Sequence, residues 1–253
     1  MYLFGSGIMW GTPTQDASGN AVATPSPLIF GTMQDAEIDI KFELKTLHGQ
    51  NQFAVAVGRG KGSVNGKAKL ADIRAGFLET LIFGTTGSSG LTSMVYDTVG
   101  TAVPATPYQV TVTPPSSGAF AADLGVISAA TGRALTRVAS APATGQYSVT
   151  AGGQYTFAAA DTGLTMYISY RYTATSTTAR NITLRNLPMG YAPAARVDFY
   201  GPYMGKSCVL TLNQCVFEGF KLSNKNDDFS IPEMGFQAFA DSAGVVGVLS
   251  LTE

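Results

Sequence analysis

An alternating stretch between Glu37 and Leu70 constrains the fold of this chain most. Its first part places apolar side chains at every second position and charged ones between them: Ile38, Ile40, Phe42 and Leu44 against Glu37, Asp39, Lys41, Glu43 and Lys45. The pattern resumes in its last part, where Lys61, Ser63, Asn65, Lys67 and Lys69 alternate with smaller or apolar residues. Because successive side chains of a strand point to opposite faces, we predict two long antiparallel strands, each with one polar face.

The segment between these strands, Thr46–Gly60, is predicted to be a loop. A loop of about 12–15 residues is much longer than the usual 2–5 of a hairpin, and such loops often carry binding functions. Three apolar residues, Phe53, Val55 and Val57, lie in it, and Arg59 lies at its end. An exposed apolar loop needs a partner, which is a first indication that the chain is a subunit of an assembly.

Composition also favours an assembly. Charged residues make up 13% of the chain, about half of the ~25% that is usual in soluble domains. A surface with so few charges is expected to be covered by copies of the same chain or by partners; the alternative is a Ser/Thr-rich β protein that needs few charges. The formal net charge of −1 implies no bulk attraction to nucleic acid.

Cysteines and apolar runs predict where the protein is made. Cys208 and Cys215 lie seven positions apart in one predicted strand, so they point to opposite faces and cannot form a disulfide with each other. Cysteines this sparse fit a reducing compartment. No apolar run approaches the ~20 residues of a membrane span, and Met1–Trp10 is a poor signal peptide. We therefore expect synthesis in a cytosol and no membrane partner.

The remaining pattern predicts a mainly β protein, a barrel or sandwich with one packed α-helix at about residues 71–83. The helix should pack its apolar stripe on the sheet face of Ile38, Ile40, Phe42 and Leu44. Residues 1–36, apolar and then Pro-rich, are predicted to form an N-terminal arm that docks on its own subunit or on a neighbour. Residues 37–104 and 176–253 are predicted to form the main β domain. The short strands of residues 105–175 are predicted to form an inserted β-module between two polar linkers, and the alternative is an elaborated face of the same domain.

No catalytic, cofactor-binding or metal site is predicted, and the chain is not expected to be an enzyme. His48 is the only histidine, and it has no nearby acids in the sequence. The glycine-rich strand lacks the spacing of a phosphate-binding loop; its glycines indicate a place where another part of the protein approaches closely. Its lysines and Arg59 would support at most sequence-blind contact with phosphates.

Three ordered segments resemble the tail tube proteins (major tail proteins) of tailed bacteriophages. The first runs TPSPLIFGTMQDAEIDIKFELKTLHGQNQFAVAVGRGKGSVNGKAKLADIRAGFLETLIFG, after the Pro-rich arm. The second is GQYSVTAGGQYTFAAADTGLTMYISYRYT, and the third is FEGFKLSNKNDDFSIPEMGFQAFADSAGVVGVLSL. Together with the arm they span most of the chain, and their order and spacing carry the resemblance.

The resemblance implies a structural subunit of a virion tail, assembled in the bacterial host cytoplasm. Six copies would close a ring, and the rings would stack into a tube that meets other tail proteins at its ends and lets double-stranded DNA pass without sequence recognition. It implies contacts between subunits or rings through Leu3, Phe4, Trp10, Phe53, Val55, Val57 and Arg59. The candidate lumen-lining residues are Glu37, Asp39, Lys41, Glu43, Lys61, Lys67 and Lys69. Lumens in the family tend to be acidic, so these lysines would need neighbouring acids to offset them.

Two other classes of protein fit the same pattern. One is a different virion structural protein, such as a capsid decoration protein or a pilus-like subunit, which would form closed oligomers. The other is a carbohydrate-binding or hydrolase β-module, which would need a cleft with converging polar groups. Electron microscopy would separate the three as hollow tubes, discrete oligomers or monomers.

Overall fold

The structure, a computed structural model, describes residues 5–252. The prediction of a mainly β protein is confirmed. Contacts divide the chain into two compact units. We call Met1–Gly87 together with Ile182–Glu253 the discontinuous unit, and Ser88–Asn181 the inserted unit.

Secondary structure elements follow in chain order. The first segment of the discontinuous unit contains strands β1 (Ile8–Gln15), β2 (Leu28–Ile29), β3 (Met33–His48) and β4 (Ala54–Leu70). A short helix, α1, is α-helical over Ala75–Phe77 and π-helical over Leu78–Ile82. The inserted unit contains β5 (Ser88–Ser89), β6 (Leu91–Val95), β7 (Thr101–Ala102), β8 (Gln109–Thr111), β9 (Ala119–Ser128), β10 (Thr136–Arg137), β11 (Gln146–Val149), β12 (Gln154–Phe157), β13 (Thr165–Ala174) and β14 (Arg180–Asn181). The chain then returns with β15 (Ala194–Tyr203), β16 (Lys206–Lys221), β17 (Glu233–Phe239) and β18 (Gly247–Leu251).

The discontinuous unit is built on one antiparallel sheet. Seven strands follow the order β2-β1-β15-β16-β17-β4-β3, and β18 also pairs with β16. Strand β17 pairs with the second half of β16, and β18 pairs with its first half. The two strands therefore lie end to end along the same side of β16, and only β17 continues to β4.

Four phenylalanines form the centre of the core of this unit. The ring centroids of Phe30 and Phe77 are 4.8 Å apart, and those of Phe77 and Phe217 are 5.8 Å apart. Phe236 completes the group at 5.8 Å from Phe217. Such pairs contribute roughly 0.5–1.5 kcal/mol each beyond the area that they bury. The cluster joins the segment after β2, helix α1 and strands β16 and β17 into one core.

The position of the Phe236 ring explains why residue 66 of β4 is a glycine. A Cβ at this position would lie 2.0 Å from the Phe236 ring, well inside van der Waals contact. The close approach expected at the glycine-rich strand is therefore made by an aromatic ring of the neighbouring strand in the same unit.

Helix α1 is shorter than predicted, and it packs elsewhere. Residues 71–74 precede the helix, and Arg74 has extended dihedral angles. Asp72 instead accepts hydrogen bonds from the Thr32 backbone N–H and the Arg74 guanidinium. The helix buries Phe77 and Leu81 in the core, but Ile40, Phe42 and Leu44 are 51%, 51% and 66% exposed. The predicted contact between the helix and these three residues is therefore wrong.

The predicted N-terminal arm is part of the sheet over much of its length. Strand β1 pairs with β15 over its whole length and with β2 at two positions, and Met9 is fully buried. Trp10 is half-buried, with Asp198 and Ile29 as its partners on the two sides. The pairing of its backbone within its own unit agrees with the alternative that the arm docks on its own subunit, and a contact of Trp10 with a neighbouring subunit stays a prediction. Leu3 and Phe4 lie outside the described residues.

The inserted unit is a small β-sandwich. One sheet has the order β10-β11-β12-β8, and the other is built around β13 with β6, β7 and β9. Side chains of both sheets form one buried cluster, to which Tyr147 and Tyr155 contribute from the first sheet and Ile168 and Tyr170 from the second. The unit is wider than the module predicted at residues 105–175, because β6 and β7 of the supposed linker pair with β13.

Two aspartates, Asp97 and Asp123, accept hydrogen bonds that link separate parts of the inserted unit. Asp123, whose side chain is 6% exposed, accepts hydrogen bonds from the hydroxyls of Tyr147 (2.7 Å) and Tyr155 (2.9 Å) and so links the two sheets. Burial, together with this hydrogen bond to Asp123, raises the pKa of both tyrosines. Asp97 accepts backbone N–H bonds from Val99 (3.0 Å), Gly100 (2.9 Å) and Ile168 (2.9 Å), which fix the turn after β6 against β13.

The Gly66→Ala substitution is expected to lower the free energy of unfolding of the discontinuous unit by about 1–3 kcal/mol, because the new methyl group overpacks the Phe236 ring. The control is Gly58→Ala in the same strand, where a Cβ meets no atom within 4 Å and the change should stay within about 0.5 kcal/mol. Urea unfolding followed by the fluorescence of the single tryptophan, Trp10, measures both. Equal midpoints for the two variants would contradict the assigned contact.

The Asp97→Asn substitution is expected to destabilise the inserted unit by roughly 1–3 kcal/mol at neutral pH, because three N–H donors lose a charged acceptor. Burial raises the pKa of Asp97, but the bonds from Gly100, Ile168 and Val99 outweigh it and hold that pKa below its ordinary value. A lowered folded-state pKa contributes stability above the unfolded pKa of ~3.9 that is lost as the pH falls through the folded pKa. The difference between wild type and variant should therefore shrink below about pH 4.

Thermal unfolding followed by near-ultraviolet circular dichroism tests this, because seven of the eleven tyrosines lie in the inserted unit. The control is Asp227→Asn, a change of the same kind at an exposed position. A difference between wild type and the Asp97 variant that stays constant from pH 7 to 3 would show that the carboxylate charge is not involved.

Candidate assembly surface

The segment predicted to be a long loop is the outer part of a continuous hairpin. Pairing between β3 and β4 continues past Leu44↔Arg59 and Thr46↔Val57 to His48↔Ala54, so only residues 49–53 connect the strands. The loop prediction for Thr46–Gly60 is therefore wrong. Sequence analysis missed the pairing because residues 53–59 alternate apolar side chains with Ala and Gly, which leaves no polar face to mark a strand. We call residues 40–62 the distal hairpin.

The distal hairpin has one apolar face that the described residues of its own unit leave largely uncovered. Residues opposite each other in an antiparallel pair share a face, so Phe42, Leu44, Val57 and Arg59 lie on the same side. Val55 and Val57 are 73% and 61% exposed, and Phe53 at the end is 85% exposed. The Arg59 guanidinium carbon lies 4.5 Å from the centroid of the Phe42 ring, a cation–π contact that covers part of one side chain.

Strand edges near the hairpin are also open. Strand β3 is the last strand of its sheet, so its outer edge from Met33 to His48 carries no paired strand within the described chain. Strand β4 pairs with β17 only from Val64 to Lys69, and within residues 5–252 β18 pairs only with β16. Unpaired N–H and C=O groups along an edge are a template for another strand.

An apolar groove of about 760 Å³ lies where the hairpin leaves the sheet. One wall is formed by β3 and β4 and includes Ile40, Phe42 and Val64. The other wall includes Val246 and Leu249. Leu210 and Leu212 of β16 form part of its floor, and both also belong to the buried core of the unit. The core of the discontinuous unit therefore continues into an open apolar surface.

The opposite face of the sheet is charged, and its charges alternate across four strands. Lys221, Glu233, Lys69 and Asp35 follow one another in one row from β16 to β3. The ammonium nitrogen of Lys69 lies 3.4 Å from an Asp35 carboxylate oxygen, and that of Lys221 lies 3.7 Å from one of Glu233. This row has no net charge.

The next rows extend the same pattern. Lys67 lies opposite Glu37. A shallow cleft on this face is lined by both residues and by Glu218 of β16. Lys41 forms an ion pair with Asp39, whose hydrogen bond raises the pKa of Lys41. Lys45 pairs with Glu43 at 3.6 Å. Most lysines on this face pair with an acid or lie opposite one. Carboxylates of the same chain therefore offset the positive charge of these lysines.

The structure brings the predicted residues together as two groups. Glu37, Asp39, Lys41, Lys67 and Lys69 share the charged face, and Glu43 and Lys61 lie where β4 carries an extra residue between Leu44↔Arg59 and Phe42↔Gly62. Phe53, Val55, Val57 and Arg59 belong to the distal hairpin. His48 is the last residue of β3 and is exposed. Sequence analysis missed the groove, one wall of which is formed by Val246, Gly247 and Leu249 near the end of the chain.

No protein-family model matches the chain, and no curated protein matches it. No helix within residues 5–252 is both long and apolar enough to cross a membrane. The function of the protein must therefore be inferred from the surfaces described above.

Proposed function

We propose that this protein is the structural subunit of a bacteriophage tail tube. Six copies form a ring, and stacked rings enclose a lumen through which the double-stranded DNA genome passes. The subunit performs no catalysis and binds no cofactor; it acts in the virion, after assembly in the host cytoplasm, together with other tail proteins at the ends of the tube. The resemblance of the sequence to this family is one support, and the incompletely covered sheet is the other.

The single observation that carries the proposal is the combination of an open strand edge and an uncovered apolar hairpin in the same sheet. Most proteins protect the edge strands of their sheets, because unpaired N–H and C=O groups pair readily with other chains. Here the edge strand is 16 residues long, and the hairpin that ends it exposes a row of apolar side chains. Identical neighbours that complete these edges would supply both the direction and the cooperativity of assembly.

The charged face supports its assignment to the lumen. Duplex DNA binds to free Lys and Arg side chains through its phosphates, so a lumen that lets DNA slide must not present such cations. The lysines that pair with Asp35, Asp39 and Glu233 are offset within the subunit. The residues Asp35, Glu37, Asp39, Lys41, Lys67, Lys69, Glu218, Lys221 and Glu233 comprise five acids and four bases. Towards the hairpin, Glu43, Lys45 and Lys61 add one acid and two bases, so the whole face has no net charge.

Removal of the end of the hairpin should separate folding from assembly. A variant in which Asn-Gly replaces residues 45–58 joins Leu44 to Arg59, which are already paired, by a favoured two-residue turn. We expect the Trp10 unfolding midpoint to stay near that of the wild type, because the removed segment is largely exposed, and we expect no tubes in negative-stain images. The control replaces residues 49–52 by Gly-Ser-Gly-Ser and keeps Phe53; it should still assemble.

Long hollow tubes formed by the truncated variant would refute the role of the hairpin. Images of the wild-type protein also separate the alternatives: hollow tubes support the proposal, whereas discrete closed oligomers favour another virion structural protein and monomers favour a binding module.

Neutralisation of the acids on the charged face should create affinity for DNA. The triple variant Asp35→Asn, Glu37→Gln and Glu233→Gln changes the net charge from −1 to about +2 and leaves Lys67, Lys69 and Lys221 free to contact phosphates. We expect the wild type to show little binding to a 30-base-pair duplex, and the variant to bind with an affinity that falls with salt at roughly one log unit per log unit of salt for each phosphate contacted.

Fluorescence anisotropy with a labelled duplex over a salt series measures this effect. The matched control is Asp16→Asn, Asp227→Asn and Asp241→Asn, which makes the same change in net charge at three acids that are not among the residues of this face. Equal binding by both triple variants would show that total charge, rather than the paired lysines, decides contact with DNA.

A further inference from the structure

Within residues 5–252, no segment fills the apolar groove beside the distal hairpin. Ile40 and Phe42 of the hairpin, together with Val64 of β4, form one wall of the groove. From Phe42, the paired strand continues six residues to His48, which at about 3.3–3.4 Å per residue places the end of the hairpin roughly 20 Å further along. The end therefore points away from the groove of its own copy, and a hairpin end that occupies the groove must come from another molecule.

The uncharged lining of the groove limits which class of molecule can bind in it. No charged residue lines the groove, although the opposite face of the same sheet is rich in ion pairs. Such a lining excludes nucleic acid and other polyanions, whose binding requires cations. It fits an uncharged, apolar segment of protein.

Residues 49–58 of the hairpin end have that chemistry. The sequence GQNQFAVAVG has no charged residue, and Phe53, Val55 and Val57 are among the most exposed apolar side chains of the discontinuous unit. Each large apolar side chain offers roughly 60–120 Å² to a partner, so Phe53, Val55 and Val57 together offer about 180–360 Å² of apolar surface. Open backbone edges on β18 and on residues 54–63 of β4 would add strand pairing to this contact.

We infer that the groove receives the hairpin end of a second copy of this chain, with Phe53, Val55 and Val57 packed between the hairpin wall and β18. The two surfaces are different patches of one molecule. In the proposed tube the contact is head-to-tail and generates closed rings or open filaments, whereas a reciprocal exchange of the same two patches would give a twofold dimer. The inference rests on the proposed assembly of identical subunits and names the site that receives the hairpin.

Crosslinking between two variants, each with one cysteine added to the two native ones, tests the contact. Val55→Cys in one sample and Leu249→Cys in another place thiols at the hairpin end and on the groove wall, at positions that are 73% and 53% exposed in the wild type. Burial raises the pKa of the native Cys215 thiol to about 12, and Cys208 is also buried, so both native thiols should react slowly. The samples are mixed and treated with a short bismaleimide across a range of protein concentrations.

We expect crosslinked heterodimers to exceed those of a control mixture by roughly tenfold or more, because juxtaposed groups reach effective concentrations in the millimolar range. The control pairs Val55→Cys with Leu124→Cys in the inserted unit, where Leu124 is 50% exposed. Unfolding midpoints of each variant establish that all are folded.

Two outcomes would overturn the inference. Crosslinking no greater than that of the control means that the hairpin does not occupy the groove. Preferential crosslinking of Val55→Cys to itself means that two hairpins meet each other. Electron microscopy of the same samples distinguishes this failure from failure of the proposed function: tubes without the crosslink reject only the groove contact, and crosslinked oligomers without tubes reject only the tail tube.

Discussion

A β-strand has two faces and two edges, and in water each of them must be covered, solvated or paired. Strands β3 and β4 begin in a well-covered region, where Gly66 lies against Phe236 and Leu70 is buried. Further along, the core ends but the strands continue for about ten residues as an isolated pair. The apolar face of this strand pair is buried near Ala68 and becomes exposed from Ile40 towards the hairpin end. The contacts proposed between copies of this chain follow from that loss of cover.

The inserted unit shows the contrasting solution. Its two sheets share one buried cluster, and Asp123 bridges them through two tyrosine hydroxyls. An isolated buried carboxylate would be costly, but this one is satisfied by two hydroxyls and the Gly125 N–H. The unit thus closes its own core, whereas the discontinuous unit leaves part of its core open. The uncovered surface on which the proposed assembly rests therefore lies in the discontinuous unit.

Sequence periodicity predicted the charged face of the sheet well, because strict alternation from Glu37 to Lys45 and from Lys61 to Lys69 has no other simple reading. It could not predict that Ile40, Phe42 and Leu44 lose their cover, since burial depends on where β17 ends and not on local pattern. It also failed at Ala54–Gly58, where small residues between the valines hide the strand. The groove needs the pairing of β18 with β16, a contact between segments that local sequence does not specify.

The two ends of the inserted unit lie side by side. Strands β5 and β14, its first and last strands, pair with each other at Ser88↔Asn181 and Ser89↔Arg180, so the chain enters and leaves the unit within the ~4.5–5.5 Å that separates paired residues. A foreign domain with similarly close termini could be grafted between Gly87 and Ile182 without stretching the flanking backbone. The junction is thus a natural point for exchanging modules, whether in the history of the gene or in the engineering of display scaffolds.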